Sequence, residues 1–196
     1  MPKIVNHEER RDEVVEATRR IILRDGLEAA TTRAIAKEAG YSNGVLTHYF
    51  ADKDDILVSA LEASHRRIAE RLARRLSGRS GVDALREVLI DNVPLDDERA
   101  AETGLEIGFW GRSLTSPGLL EVQRREAADL RYLVGSLLRA AAEAGQIRTD
   151  EDLDDVAERL LALVDGLSVH RLLYPDRLTG ERLERLILGE LDRLRP

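Results

Sequence analysis

Residues 43–48 read Asn-Gly-Val-Leu-Thr-His, and most of their side chains suit the edge of a base pair. The Asn43 amide and the His48 ring can hydrogen-bond to base edges, and Thr47 can offer a hydroxyl or a methyl. Val45 stands at the margin of the same face. Gly44, lacking a side chain, would let a helix lie close against a duplex. None of these residues is acidic. Around them are groups suited to phosphate oxygens: the hydroxyls of Thr31, Thr32, Ser42 and Tyr49, the guanidinium of Arg33 and the ammonium of Lys53.

Such a face is useful only if something behind it holds it rigid. Ala-rich helical spacing runs over 32–39, with Thr31 as its N-cap and Ile35, Ala36 and Ala39 on one side. Gly40 follows, where a left-handed backbone costs glycine least. Tyr41 can then plug the corner and Ser42 can cap a second short helix over 43–49. Leu46 and Phe50, four residues apart, bury its inner side. Ala36 is small, and two helices crossing steeply need a short side chain at closest approach. The order of small residue, glycine, apolar residue, cap and short amphipathic helix reads as a helix-turn-helix. An ordinary helical hairpin shares the spacing but not the acid-free outer face.

The stretch TTRAIAKEAGYSNGVLTHYFADKDDIL resembles the signature of TetR-family transcriptional regulators. The matching residues are Thr31, Arg33, Ile35, Ala36, Ala39, Gly40, Ser42, Gly44, Leu46, Tyr49, Phe50 and Lys53. Arg24-Asp25-Gly26-Leu27 fits the end of the family's first helix and the turn after it. Asn43 and Thr47 depart from common family choices at outward positions, which bears on the operator sequence and not on the mode of binding. The resemblance implies a DNA-contacting set of Thr31, Thr32, Arg33, Ser42, Asn43, Gly44, Val45, Thr47, His48, Tyr49 and Lys53. It implies a homodimer on a palindromic double-stranded operator, with half-sites about one helical turn apart or somewhat more. It also implies a repressor released by a small-molecule inducer, and no cofactor.

Helical spacing continues through the rest of the chain, over about 8–25 before the motif, then about 53–77, 82–92, 99–114, 118–144, from Asp150 or Asp152 to about 173, and 179–194. The whole predicts an all-α protein of about nine helices. Residues 1–51 would form a three-helix DNA-binding domain and 52–196 a helical ligand-binding and dimerisation domain. Within the second part, Leu160, Leu163, Val164 and Leu167, then Leu183, Leu186 and Ile187, form apolar stripes on the last two helices. In the family such helices pair across the dimer axis, and the same stripes also suit a core within one chain. Trp110 is the only tryptophan, Phe109 is one of two phenylalanines, and Glu106 lies one turn before Trp110. With His65, Tyr132 and His170 they make a candidate pocket, in which aromatic rings and a carboxylate would suit a cationic or amine ligand. Plain core packing for Phe109 and Trp110 is the competing reading. The region from Trp110 through Asp165-Gly166-Leu167 is similar to the C-terminal domain of the BetI-like subgroup. The expected coupling is that ligand moves the fourth helix, whose first residue is Lys53, and spoils the spacing of the two recognition helices.

Composition narrows the other classes. The chain has 196 residues and a net charge of −7, but residues 1–53 are neutral and hold all three lysines, so the acidic excess lies outside the motif. With no cysteine, disulfides and thiolate metal sites are excluded. No metal-ligand cluster, glycine-rich phosphate loop, HExxH or GxSxG appears, and the four histidines are scattered, so an enzyme is not expected. No run approaches the ~18–20 apolar residues of a membrane span, and the polar N-terminus lacks an apolar signal core; a cytoplasmic protein without a membrane partner is expected. The remaining alternative is a helical small-molecule-binding protein without sequence-specific DNA binding.

Overall fold

The computed structural model describes residues 7–148 and 150–196. Among these residues there are nine α-helices and no strand: α1 (His7–Asp25), α2 (Thr32–Ala39), α3 (Asn43–Leu46), α4 (Lys53–Leu76), α5 (Gly81–Asp91), α6 (Asp97–Ser113), α7 (Pro117–Glu143), α8 (Leu153–Leu173) and α9 (Gly180–Arg193). A short 3-10 turn covers Leu27–Ala29. No helix among the described residues is long and apolar enough to cross a membrane.

The chain divides into two compact units. The first runs to Arg66 and takes in Leu105–Arg124. Its core draws Val14, Ile21 and Ile22 from α1, Ile35 and Ala36 from α2, Leu46 from α3, Phe50, and Ile56, Leu57 and Leu61 from α4. Leu105 and Phe109 of α6 and Leu119 and Val122 of α7 belong to that same core. The compact unit therefore extends well past residue 51: apolar side chains of α1 to α4 are covered by residues more than forty positions further on. Asp54, in the first turn of α4, accepts from Arg112 (2.8 Å) and from Ser116 (2.9 Å). The Arg112 hydrogen bond, opposed by partial burial and helped by Ser116, holds the Asp54 carboxyl below the usual carboxylate range.

The second unit comprises Arg67–Gly104 and Arg125–Pro196. Leu85, Val88 and Leu89 of α5, Val134 and Leu138 of α7, Val156, Leu160 and Val164 of α8, and Leu183, Ile187 and Leu191 of α9 form its core. A charged cluster is built into it. Arg71 bonds Asp91 (3.1 Å) and forks onto Glu102 (both 2.8 Å), while Arg75 bonds the same Asp91 at 2.6 Å. Asp91 is buried, so the two guanidinium groups satisfy a carboxylate that water cannot reach.

Candidate nucleic-acid interface and the Glu106 cluster

The turn between α2 and α3 follows from its sequence. Gly40 has φ 78° and ψ 23°, the left-handed region. Its N–H bonds Lys37 O (3.2 Å) and the Tyr41 N–H bonds Ala36 O (2.8 Å), the paired closure of a Schellman motif. No atom lies within 4 Å of where a Cβ would be at Gly40, so the backbone angle and not space requires glycine. Tyr41 is half-buried in the corner, packed on the core, and its hydroxyl donates to Glu13. Thr31 caps α2 through its hydroxyl, which accepts from Ala34 N at 3.2 Å. The hydroxyl hydrogen of Thr31 remains free to donate outward.

Ser42 occupies the N-cap position of α3 with extended backbone angles, but its hydroxyl makes no capping bond. The side chain is exposed. The spacing predicts a helix over 43–49, whereas the structure ends α3 at Leu46. Beyond it the chain tightens, with His48 N–H on Val45 O (3.2 Å) and Tyr49 N–H on Leu46 O (2.9 Å). Gly44, Val45 and Thr47 are weak helix formers, and the Thr47 hydroxyl bonds Gly44 O at 2.9 Å, competing with the helical ladder. Leu46 and Phe50 are buried, as their spacing predicts. Asn43, Gly44, Thr47 and His48 are exposed and Val45 is half-buried.

The helix that follows opens on a reciprocal pair of caps. Asp52 accepts from Asp55 N (2.9 Å) and Asp55 accepts from Ala51 N (2.9 Å). Lys53 is half-buried beside these acids, and Thr31, Thr32 and Arg33 are exposed at the start of α2. Sequence reasoning missed Arg11. It bonds the Tyr49 carbonyl and Ser59 Oγ (3.2 Å) and lies 4.2 Å over the Phe50 ring, tying α1 to the end of the recognition segment. The visible signal was its place, three residues before Val14 on the buried side of α1.

Of the six residues suggested for a ligand pocket, the structure gathers three. His65 Nε2 lies 2.9 Å from Glu106 Oε2, and the Trp110 indole N–H donates to Glu106 Oε1 at 3.2 Å. Gln123 is a third neighbour of the same carboxylate. Burial pushes the Glu106 carboxyl up, but His65, Gln123 and Trp110 outweigh it and hold the group below its ordinary value. The other three residues do different things. Phe109 is wholly buried in the first core, with no face left for a ligand. Tyr132 is 74% exposed, and a ring so wet cannot exclude water from a cation. His170 is exposed and stacks edge-on against Tyr174, with ring centres 5.6 Å apart.

A charged Glu106 has a consequence in acid. A carboxyl whose folded pKa is depressed contributes stability that is complete above its unfolded value near 4.5 and is lost as pH falls through the lower folded value. The gap in melting temperature between wild type and Glu106→Gln is therefore expected to be full at about pH 5.5 and to shrink below about pH 4.5. A gap that stays constant through this range would mean that the Glu106 carboxyl titrates alike in the folded and unfolded protein, and one that widens towards acid would mean that folding raises its pKa.

The last two helices also divide their apolar residues. Leu160, Val164, Leu183 and Ile187 are buried in the chain's own core. Packing within the protomer accounts for the burial of these four. Leu163 and Leu167 are half-buried and Leu186 is 44% exposed. Neither Gly166 nor Gly189 has an atom within 4 Å of a built Cβ, so the outer side of both helices is open.

Comparison with known proteins agrees with this architecture at both ends. A model of the family described as "Bacterial regulatory proteins, tetR family" matches residues 14–60. A second, "BetI-type transcriptional repressor, C-terminal", matches residues 81–196. The HTH-type transcriptional regulator PksA of Bacillus subtilis (strain 168) is 32% identical over 195 residues, covering 98% of this chain and 93% of that protein. The HTH-type transcriptional regulator BetI of Stenotrophomonas maltophilia (strain R551-3) is 31% identical over 196 residues, covering 98% and 96%. Among solved structures, a transcriptional regulator from Rhodococcus sp. Rha1 superposes with a TM-score of 0.84 at 29% identity, over 94% of this chain and 95% of that one. A putative transcriptional regulator from Saccharomonospora viridis in complex with choline has the same fold, with a TM-score of 0.88 at 23% identity over 94% and 96%. This chain belongs to the TetR family of transcriptional regulators, DNA-binding proteins and not enzymes, with a C-terminal region of the BetI type.

Proposed function

We propose that the protein is a repressor that binds a roughly palindromic operator as a homodimer and leaves it when a small cationic ligand reaches the Glu106 cluster. The observation that carries this reading is the outer face of residues 43–48, exposed, free of acids and braced from behind by Leu46 and Phe50. Asn43, Val45, Thr47 and His48 read base edges, Gly44 permits close approach, and Thr31, Thr32, Arg33, Ser42, Tyr49 and Lys53 meet phosphates. Functionally, residues 1–51 are the DNA reader and 52–196 the regulatory part. One helix-turn-helix contacts too little DNA for tight specific binding, so two linked readers supply the affinity. Leu163, Leu167 and Leu186, with the open backbone at Gly166 and Gly189, support a dimer surface on α8 and α9.

The ligand reading rests on Glu106 and Trp110, where an anionic carboxylate stands beside an indole. His65 holds that carboxylate in the free protein, so a cation binds by taking its place. Leu105 and Phe109, flanking Glu106 on α6, share a core with Ile35, Leu46 and Phe50. A shift of α6 to admit a ligand therefore bears on the packing behind the recognition segment. Ligand shifts the protein off DNA only by its differential affinity for the two packings.

Fluorescence anisotropy on DNA fragments from upstream of the protein's own gene and its neighbours tests the proposal. Binding is expected on at least one fragment, weakening steeply with salt. Choline, a minimal quaternary ammonium, is the probe expected to release it. The absence of binding on every fragment would favour a ligand-binding protein without a DNA role. Binding that persists in saturating choline removes the cation reading and leaves the regulator.

A further inference from the structure

We infer that the first turn of α1 belongs to the DNA interface, where His7 and Arg10 build with Tyr49 a clamp for a backbone phosphate. This rests on the proposal that Tyr49 faces a phosphate, and adds the residues that make it an anion site.

The His7 ring packs on the Tyr49 ring with centroids 4.4 Å apart and 55° between their planes. Arg10 Nη1 lies 3.4 Å from Tyr49 Oη, donating to it. A phenol that accepts from a guanidinium keeps its own O–H for another acceptor. That hydrogen, the unused N–H groups of Arg10 and a ring N–H of His7 offer three kinds of donor around one tyrosine. A phosphate oxygen is the acceptor that matches several converging donors and positive charge.

Two contrasts set Arg10 apart. Arg11, its neighbour, spends its guanidinium on Tyr49 O, Ser59 and Asp55 and lies over Phe50, so it serves the fold. Arg10 is half-buried and 5.6 Å from the centre of the Tyr41 ring, which fixes its direction, yet among the described residues no carboxylate pairs with it. A positioned arginine without a counter-ion beside a recognition helix is a site still awaiting its anion. Charge along α1 is also sorted. His7, Arg10 and Arg11 follow i, i+3, i+4 spacing on the side of Tyr49. Glu8 stands a step round the helix, and Glu9, Asp12, Glu13 and Glu16 line a groove with Arg20, Glu38 and Tyr41. Glu13 comes near the clamp through the same Tyr41 over which Arg10 lies, but its carboxylate is engaged by the Tyr41 hydroxyl.

The test uses the full chain and the DNA fragment it binds best, with affinity measured from low to moderate salt. Arg10→Gln and Tyr49→Phe should each weaken binding by about three- to thirty-fold, alike on every sequence. Arg10→Gln should flatten the slope of log affinity against log salt by about 1 per protomer, while Arg10→Lys keeps most of that slope. The double variant should lose less than the product of the single losses, because the pair acts as one clamp. If Arg10→Gln also lowers the melting temperature, the salt slope still decides. A folding defect reduces the active fraction and leaves the slope unchanged, which would overturn the clamp. Unchanged affinity in Arg10→Gln beside a clear loss in Lys53→Ala overturns the clamp alone. No loss in Lys53→Ala, Tyr49→Phe or His48→Ala overturns the underlying reading of the DNA face.

Discussion

Phe109→Ala is expected to cost about 3–5 kcal/mol of stability, the usual toll of removing a buried aromatic ring. Phe109 is a fully buried side chain in a core to which α1, α2, α3 and α4 contribute most of the residues. Removing it leaves a void in the core that also holds Ile35, Leu46 and Phe50, the residues that brace the recognition segment. The melting transition followed by circular dichroism should fall by about 10 °C or more. DNA affinity should fall with it even at temperatures where helix content is intact, since the face of α3 is only as rigid as its support. Phe109→Leu, which retains most of the volume, should recover most of both losses. A loss below about 1 kcal/mol for Phe109→Ala would mean that the core closes without α6. The same packing predicts that residues 1–51 in isolation expose apolar surface that Leu105, Phe109, Leu119 and Val122 otherwise cover.

Phe109 also marks where the amino-acid sequence stops being informative. Helical spacing located all nine helices, because each buries one stripe and ends at a glycine, a proline or a cap. Gly40 was legible because a single residue sets the turn. What spacing reports is that a residue lies on an apolar side, and not which side chain it meets. Phe109 and Trp110 are neighbours in sequence, yet one is wholly buried in the core and the other bonds a carboxylate. Leu160 and Leu163 lie on one stripe, but only Leu160 is fully buried. Pairs such as His65 with Glu106, or Arg10 with Tyr49, are 41 and 39 positions apart, and no local pattern joins them. Asp91 is the instructive omission. It interrupts the apolar side of α5 next to Val88 and Leu89, and a charge there demands a partner from elsewhere, which Arg71 and Arg75 supply.

Replacing His48 and replacing Lys53 should weaken DNA binding in different ways. His48 is exposed on the acid-free face, one residue after Thr47, where its ring can reach a base edge. His48→Ala should cost about 1–3 kcal/mol on the preferred operator and far less on a variant operator whose contacted base pair is already changed. Its salt slope should stay near that of wild type, because a base contact displaces few counter-ions. Lys53 opens α4, and the acids around it are occupied: Asp54 by Arg112 and Ser116, Asp55 by the backbone of Ala51, Asp52 by the backbone of Asp55. Among the described residues no carboxylate is ion-paired with Lys53, so its charge is available to a phosphate. Lys53→Ala should weaken binding about equally on every sequence and reduce the salt slope by about 1 per protomer. Anisotropy titrations of both variants on two operators at several salt concentrations separate the outcomes. If the two substitutions changed affinity by the same factor on both operators, base and phosphate contacts would not divide between α3 and the start of α4. Specificity would then have to come from the shape of the DNA and not from the side chains at 43–48.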